Sequence, residues 1–359
     1  MPQETAMAET PDRKRVQEFA RKLFSHYTSG IVTLMVDIGH KTGLFEAVAK
    51  GAGTSQQIAE RAGLDERYVR EWLGAMATSG IVQYEPASRA FLLPPEHAVV
   101  LTGTSSRNLA ANSQALAMLA KRLGKVAECF RSGGGVPYSE FRPDFTEYQD
   151  ASWRLLYDGL LIRGFLPVAK GLPERLAAGM RVADLGCGTG HAINLMAREY
   201  PRSDFVGYDI AEDAIARARD EARALGLANA RFEVADVTRL RSEGKFDLLT
   251  SFDAVHDQRD PAAVLRSAAA ALAPDGLYFM VEPRASSDLA DNLANPFAPW
   301  IYGVSVLHCM TVSLAAGGAG LGTAWGEQTA RKFLADAGFR SVEVVDAPGP
   351  QNSIYICRR

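Results

Sequence analysis

The chain of 359 residues has few cysteines, little net charge and no long apolar run. Its four cysteines (Cys129, Cys187, Cys309 and Cys357) are widely spread and form no Cys-x-x-Cys pair, so we expect neither a disulfide framework nor a metal site. A formal net charge of −3 gives no general attraction to nucleic acid or anionic membranes. Because no apolar run approaches about 20 residues and Met1–Asp12 lacks an apolar signal core, we expect a cytoplasmic protein without membrane contact.

The order of patterns along the chain predicts three parts. Hydrophobic residues make up 47% of the chain and charged residues 23%, which is ordinary for a globular protein long enough for two domains. We predict a winged-helix domain of the dimerisation type over 1–104. A helical linker and pocket wall follow over 105–175. A ligand-binding domain follows over 176–359, with an insert at 284–322.

The first part begins with apolar residues at helical spacing, from Arg13 to about Val48. Gly30, Gly39 and Gly43 are expected to divide this stretch into short helices. It is too apolar for an isolated surface helix, so the rest of the domain or a second subunit must cover it.

A helix-turn-helix pattern follows, with helices over Ser55–Arg61 and Glu66–Thr78. The stretches Ile81–Tyr84 and Ala90–Leu93 alternate around a turn and predict a two-stranded wing. This order of elements is a winged helix.

DNA binding is the usual function of a winged helix, but the charge does not favour it here. Residues 1–110 contain twelve Lys or Arg and twelve Asp or Glu. On the second helix, Arg67 and Arg70 are set against Asp65, Glu66 and Glu71. A groove-reading helix normally has a basic excess, so dimerisation or support of a substrate pocket is the preferred role.

The second half alternates strands and helices, which predicts a parallel sheet with helices on both faces. In such sheets ligands bind at the carboxyl ends of the strands. The stretch Val182–His191 is a strand that enters a glycine-rich turn and then a helix, where the backbone can approach a ligand closely. Ser341–Ala347 and Ser353–Arg358 predict a terminal hairpin.

Each of the first four strands of this half ends in a group that suits a nucleoside. The first ends in Gly186–Gly190. Asp209 follows the second and can accept hydrogen bonds from both ribose hydroxyls, while Asp236 follows the third and can accept from an adenine amine. Phe252 ends the fourth and can pack on the adenine. The predicted cofactor-binding residues are Asp184, Gly186, Cys187, Gly188, Gly190, Asp209, Ile210, Asp236, Val237, Ser251 and Phe252.

These motifs resemble those of class I S-adenosylmethionine-dependent methyltransferases, over about Arg181–Arg359. With the first half included, the layout is similar to bacterial methyltransferases fused to a winged helix and to small-molecule O-methyltransferases. The resemblance implies a Rossmann-like seven-stranded sheet with an antiparallel C-terminal hairpin, S-adenosyl-L-methionine as cofactor, and a homodimer formed through the N-terminal domain.

A dinucleotide-dependent dehydrogenase is the competing reading of the turn. In dehydrogenases the glycines of the dinucleotide-binding turn are usually spaced Gly-x-Gly-x-x-Gly to fit a pyrophosphate. Here Gly186, Gly188 and Gly190 are spaced Gly-x-Gly-x-Gly. S-adenosylmethionine has no phosphate, so this spacing and the terminal hairpin favour the methyltransferase.

Methyl transfer from a sulfonium requires that the acceptor be positioned and, for a hydroxyl, deprotonated. His256 follows the fourth strand and is the first candidate base, because the segment is similar to the His-Asp stretch of plant-type O-methyltransferases. The tryptophan that usually follows there is replaced by Gln258. His308, in the insert, is the second candidate base.

Four aromatic residues are predicted to line a largely apolar acceptor pocket. They are Trp153 and Tyr157, on the helix before the glycine strand, and Trp300 and Tyr302, in the insert. The prediction is therefore O-methylation of a small, largely apolar molecule. Convergent thiolates for arsenite and a basic face for nucleic acid are both missing. The alternative is a regulator that binds the cofactor and uses the winged helix on DNA.

Overall fold

A computed structural model describes residues 11–240, 244–349 and 351–359. The first ten residues of the polar stretch Met1–Asp12, and Pro350 between the two strands of the predicted terminal hairpin, lie outside these ranges. The chain forms two compact units, Met1–Gly103 with Asn108–Leu116, and Thr104–Arg107 with Ala117–Arg359. The boundaries at 104 and 175 stay a prediction.

The first unit is a helical domain with a small two-stranded wing. Its elements are α1 (Arg13–Thr42), α2 (Leu44–Ala49), α3 (Ser55–Ala62), α4 (Glu66–Thr78), β1 (Gln83–Glu85), β2 (Ala90–Leu92) and α5 (Pro95–Leu101). Thr54 caps α3 in a reciprocal box with Gln57, and Asp65 caps α4. These local signals place both helices where the sequence predicts them.

The expected division of the first apolar stretch at Gly30 and Gly39 is wrong, because α1 continues through both to Gly43. A Cβ on Gly39 would lie 2.5 Å from the Trp72 ring and 2.7 Å from that of Phe45. Gly39 therefore serves close packing inside the helix. A sequence pattern cannot reveal this, because Trp72 is on α4.

The second unit is a seven-stranded sheet with helices on both faces. Its elements are α6 (Gln114–Ala120), α7 (Leu123–Ser132), α8 (Asp144–Leu160), α9 (Leu172–Ala178), β3 (Arg181–Leu185), α10 (His191–Glu199), β4 (Asp204–Asp209), α11 (Glu212–Ala224), β5 (Ala230–Val234), β6 (Phe246–Phe252), α12 (Pro261–Ala271), β7 (Leu272–Pro283), α13 (Leu289–Asn292), α14 (Ala298–Val304), α15 (Met310–Ala315), α16 (Gly326–Asp336), β8 (Ser341–Asp346) and β9 (Asn352–Arg358), although α6 begins in the first unit.

The strand order is β5-β4-β3-β6-β7-β9-β8. Neighbouring strands from β5 to β7 are parallel, while β9 runs antiparallel to both β7 and β8. Consecutive residues of the central strands point to opposite faces, so Val182 packs in one apolar core and Ala183 in the other. The predicted fold class is confirmed.

One helical stretch, Ala298–Ala315, corrects the expectation that no apolar run is long enough for a membrane. Among the described residues it is the one candidate span, with 18 residues and a mean hydropathy of 1.3. A core helix passes the same test, and Thr311 and Ser313 of this stretch are buried within the second unit. One such stretch is weak evidence for a span.

The glycine turn packs on the sheet through two glycines. A Cβ on Gly190, whose φ is +72°, would lie 2.4 Å from the Phe232 ring and 2.6 Å from the Ala218 methyl group. A Cβ on Gly207 of β4 would lie 2.7 Å from Cys187 Sγ. The turn can lie this close to the sheet because neither position has a side chain.

Gly190→Ala should lower the free energy of unfolding by about 2–4 kcal/mol, because it combines left-handed strain with a steric clash. Gly188→Ala is the matched control. It adopts a φ of +53° with no atom within 4 Å of the added Cβ, so it should cost only about 1 kcal/mol. Urea unfolding followed by tryptophan fluorescence measures both, and equal losses would contradict the packing role of Gly190.

Candidate functional site

A cavity of about 600 Å³ lies at the carboxyl ends of β3, β4 and β6, within the second unit. Seven of the eleven predicted cofactor-binding residues line it: Gly186, Cys187, Gly188, Asp209, Ile210, Asp236 and Phe252. The structure thus brings the strand ends together as the sequence predicts.

The other four predicted residues lie behind the cavity wall. Gly190 packs on the sheet, and Val237 is buried. Asp184 is buried and accepts a hydrogen bond from Thr250 Oγ1 at 2.7 Å, while burial raises its pKa to about 7. Ser251 is hydrogen-bonded to the hydroxyl group of a buried tyrosine. These side chains shape the wall but do not line the cavity.

Asp209 is held by the turn itself. Its Oδ2 accepts from Gly188 N at 2.8 Å and its Oδ1 from Ala211 N at 2.8 Å. Burial raises the pKa of Asp209, and these two backbone donors partly offset the rise. Burial also raises the pKa of the Cys187 thiol, with a further contribution from Asp209, so this cysteine is a neutral part of the wall.

Asp236 closes the far end of the cavity. Its Oδ1 accepts from Thr238 N at 2.9 Å and from Thr238 Oγ1 at 2.7 Å, and the hydroxyl bond lowers the pKa of Asp236. The ionised carboxylate caps a short 3-10 turn. It is therefore already oriented before any ligand arrives.

Helix α8 supplies an aromatic wall. Trp153 and Tyr157 stack with ring centroids 5.2 Å apart, and Tyr157 meets Phe252 edge to face at 5.4 Å. Both predicted residues line the cavity, as do Tyr138 and Phe145, which the sequence analysis missed. Tyr138 lies in a short 3-10 turn and Phe145 in the first turn of α8, so no strand end marks either residue.

Polar residues of α8 connect this wall to the glycine turn. Asp150 Oδ1 accepts from Thr189 Oγ1 at 2.7 Å and pairs with Arg154 Nη2 at 2.8 Å. Arg154 also pairs with Glu221 of α11 at 2.6 Å. Burial opposes the ionisation of Glu221, but hydrogen bonds from His191 and Arg154 lower its pKa to about 2. The sequence signal for this network is only the Asp-Arg spacing of four on α8.

The insert contributes little of what the sequence predicts. Trp300 is exposed, and Tyr302 Oη accepts from Asn292 Nδ2 at 3.1 Å; neither lines the cavity. His308 is fully buried, stacks on Phe145 at 3.6 Å, and has no hydrogen-bond partner among the described residues. Burial lowers the pKa of His308 to about 3. The insert instead presents two small apolar side chains, Val312 and Ala316.

His256 is buried and does not line the cavity. It is 2% exposed, and its Nδ1 donates to Oε2 of the fully buried Glu282 at 2.6 Å. Burial acts to lower the pKa of His256, but the charge of Glu282 outweighs it and raises that pKa well above the ordinary value. The residues of this loop that line the cavity include Asp253 and Asp257. The sequence located the loop, but not which of its side chains face the ligand.

One group of side chains has the composition of a metal site. The donor atoms of Asp253, His256 and Glu282 lie within 4.8 Å of one another. However, the 2.6 Å contact between His256 Nδ1 and Glu282 Oε2 is a direct hydrogen bond. A metal ion would need both atoms as ligands at about 2.0–2.2 Å from itself, in place of that bond.

Asp257 generates a pH-dependent prediction. Burial raises the pKa of Asp257 to about 7. The native state therefore retains a proton that the unfolded chain loses, and this group makes stability fall as pH rises from about 4 to 7. Asp257→Asn should increase the free energy of unfolding by about 1–2 kcal/mol at pH 8, and the gain should disappear towards pH 4.

Urea unfolding at several pH values measures this change. Asp275→Asn, at an exposed acid of β7, is the control and should show no such pH-dependent gain. A gain for Asp257→Asn that is the same at pH 4 and pH 8 would contradict the ionisation argument.

Comparison with known proteins supports a methyltransferase. A family described as "Rv2258c-like winged HTH domain" matches residues 30–103, and one described as "Methyltransferase domain" matches residues 176–337. Trans-aconitate 2-methyltransferase of Methylobacterium nodulans is 36% identical over 121 residues, which are 34% of this chain. The chain spans 42% of that relative's length.

Solved structures of similar fold cover nearly the whole chain. A putative O-methyltransferase from Nostoc punctiforme has a TM-score of 0.73 at 18% identity, covering 98% of this chain and 100% of its own. Human N-acetylserotonin methyltransferase, solved with S-adenosylmethionine, has a TM-score of 0.68 at 15% identity, with coverages of 98% and 99%. The chain thus carries an N-terminal winged helix-turn-helix domain and a methyltransferase domain, in the order that its motifs predict.

Proposed function

We propose that the protein transfers a methyl group from S-adenosylmethionine to an oxygen of a small, largely apolar acceptor. The observation that carries this proposal is one cavity lined by both the glycine turn with Asp209 and the aromatic wall of α8. A volume of about 600 Å³ is in the range of small-molecule sites. The fold shared with proteins named O-methyltransferases supports oxygen as the acceptor atom.

The residues present fit the cofactor. Asp209 would hold the ribose hydroxyls, since its carboxylate is oriented by two backbone donors and faces the cavity. Asp236 would accept from the adenine amine, and Phe252 would pack against the ring. The turn Gly186–Gly190 leaves room for the cofactor because no Cβ projects from its glycines. When bound, the cofactor supplies an electrophilic methyl group on a sulfonium.

The acceptor would lie against the apolar end of the cavity, between Tyr138, Phe145, Trp153 and Val312. Of the predicted substrate residues, Trp153 and Tyr157 keep this role. Trp300 and Tyr302 do not line the cavity, and we leave them out of the proposed pocket.

Asp257 is the residue of the acceptor end that is suited to take the proton of a hydroxyl. It lines the cavity, and its raised pKa of about 7 matches a base that works near neutral pH. His256 is a positioning residue for Asp257, because its hydrogen bond to Glu282 holds the loop that carries Asp257. Asp257 would accept the proton of the acceptor hydroxyl, and the cofactor, when bound, would supply the methyl group to that oxygen and leave as the neutral thioether.

Asp257→Asn should reduce turnover by about 10²–10⁴-fold while leaving S-adenosylhomocysteine affinity unchanged, because only the proton acceptor is removed. The rate of the wild-type enzyme should rise with pH through about 7 as Asp257 ionises. Steady-state kinetics and calorimetry measure both.

His256→Gln provides the comparison, since this change disturbs the loop without removing Asp257. We expect a smaller loss of turnover than for Asp257→Asn. If His256→Gln instead reduces turnover by about 10²–10⁴-fold while Asp257→Asn remains active, then His256 is the base, as its position in the sequence predicts.

The proposed O-methyltransferase activity is tested by incubating the protein with methyl-labelled S-adenosylmethionine and a panel of small hydroxylated aromatic acceptors. We expect a methyl ether product, and no product from Asp209→Ala. Label on nitrogen or carbon would contradict O-methylation. Sequence-selective, salt-sensitive DNA binding without turnover would favour the regulator instead.

The helix α4 does not favour that regulator. Arg67 pairs with Glu71 at 2.6 Å and Arg70 pairs with Glu66 at 3.0 Å, all on the same helix. These acids neutralise the two cations that would approach phosphates. We therefore propose that the winged helix is a dimerisation domain and not a DNA-binding one. We also propose that the protein is cytoplasmic.

A second copy of the chain is the proposed cover of α1. Residues 11–29 are exposed, although their apolar side chains recur at helical spacing on one stripe. Phe19 is 66% exposed and Phe24 is 70% exposed. A stripe of this length, on a helix that extends beyond the core of its own unit, suits an antiparallel or crossed pairing with the same helix of a second protomer.

Phe24→Glu should convert a wild-type dimer into monomers, because it would bury a charge in the helix pair. Lys22→Glu is the matched control, since Lys22 lies on the opposite side of α1 and should leave the dimer intact. Analytical ultracentrifugation measures both, and a monomeric wild-type protein at micromolar concentration would contradict the proposal.

A further inference from the structure

Asp253 has an unusual backbone conformation at the edge of the cavity. Its φ is +56°, one of two positive values at non-glycine positions among the described residues. It follows Phe252 at the end of β6, and its N–H donates to Val281 O of β7 at 2.8 Å. A left-handed conformation is strained for a residue that is not glycine, and such residues cluster at functional sites.

The Asp253 carboxylate has no cationic partner in hydrogen-bond contact. Its Oδ1 is buried and accepts no hydrogen bond among the described residues. The nearest cationic atom is His256 Nδ1, 3.9 Å away, which is already engaged with Glu282 at 2.6 Å. Two other acids, Glu282 and Asp257, are near. A largely buried carboxylate with this little compensation is costly unless a ligand supplies a positive charge.

The position of Asp253 indicates which ligand charge that is. Asp253 lines the cavity with Gly186, Phe252 and Tyr157, on the strand next to the glycine turn. The neighbouring Ala254 packs on the turn, since a Cβ on Gly186 would lie 2.7 Å from its methyl group. The carboxylate is therefore held against the part of the cavity that the cofactor occupies in the proposed function.

S-adenosylmethionine carries a positive charge at its sulfonium, whereas the product S-adenosylhomocysteine is a neutral thioether. We infer that the Asp253 carboxylate is the counter-ion of the sulfonium and makes the protein prefer the methyl donor over the demethylated product. Loss of the charge on methyl transfer then leaves Asp253 unpaired and weakens product binding. The inference rests on the proposed cofactor site, but it requires no knowledge of the acceptor.

Calorimetric titration without an acceptor tests this role. The probes are S-adenosylmethionine, S-adenosylhomocysteine and sinefungin, an analogue with a protonated amine near the sulfonium position. Asp253→Asn should weaken binding of the two cationic probes by about tenfold and leave S-adenosylhomocysteine within about twofold, since a charge-assisted contact is lost. The measured quantity is the affinity ratio of donor to product.

Two further variants, Asp253→Gly and Asp275→Asn, distinguish loss of the Asp253 charge from a change in folding or in overall charge. Asparagine tolerates positive φ, and Asp253→Gly removes the side chain where glycine is unstrained, so both should fold with nearly wild-type melting temperatures. Asp275→Asn removes the same charge at an exposed position near the start of β7 and should leave the ratio unchanged.

An unchanged ratio in both Asp253 variants, with all probes still bound, would overturn the role of Asp253 while the proposed function stands. Equal weakening of all three probes would also overturn it, because a structural role would then explain the loss. If wild-type protein binds none of the probes, the proposed cofactor site itself fails.

Discussion

The buried carboxylate of Glu282 constrains the conformation of the loop after β6, which forms part of the cavity wall. Its two oxygens accept from Val255 N at 2.9 Å and from His256 Nδ1 at 2.6 Å. Glu282 is fully buried on a strand that is otherwise apolar from Leu277 to Val281. Removing one partner from a buried ion pair costs about 3–5 kcal/mol, so the pair constrains the loop strongly. With Val255 and His256 tied inward, Asp253 and Asp257 are left to line the cavity.

The glycine turn depends on a different constraint, which is the close approach of backbone to backbone. Gly186 N and Cys187 N both donate to Tyr208 O, at 2.8 and 3.0 Å, so the turn is fastened to the end of β4. Gly188 N in turn donates to Asp209 at the end of the same strand. The turn and Asp209 therefore form one hydrogen-bonded unit, in which the backbone conformation of the glycines sets the orientation of the carboxylate.

The sequence correctly predicts that these strand ends meet at one edge of the sheet, because its signals are local. Gly186, Asp209, Asp236 and Phe252 each follow an apolar strand, and parallel strands bring their carboxyl ends to one edge. The winged helix is equally local, since caps such as Thr54 are read from a few neighbouring residues.

What the sequence does not predict depends on contacts between distant segments. The burial of His256 follows from Glu282, 26 residues later on the next strand. The continuity of α1 through Gly39 follows from Trp72 on another helix. His308 resembles a candidate base in the sequence, but the ring of Phe145 covers it. In each case the residue type could be noticed in the sequence. Its burial and contacts, however, depend on a residue from a distant segment, which no local pattern specifies.

The charges of the cavity limit which molecules it can accept. Asp209, Asp253 and Asp257 line it, and none of them has an ion pair to an arginine or lysine in the described structure. Arg154, which also lines the cavity, is already paired with Asp150 and Glu221. Two further arginines, Arg239 and Arg259, also line the cavity. The hydrogen bond from Thr238 and the charges of these two arginines lower the pKa of Asp236. A polyanionic acceptor placed against Asp209, Asp253 and Asp257 would therefore meet like charge, whereas a cationic donor or a neutral aromatic acceptor would not. Because Asp150 also accepts from Thr189 of the glycine turn, the aromatic wall of α8 and the glycine turn are joined by one polar network. Movement of α8 away from the cavity would break the Asp150–Thr189 bond, so displacing the aromatic wall from the glycine turn costs this charge-assisted hydrogen bond.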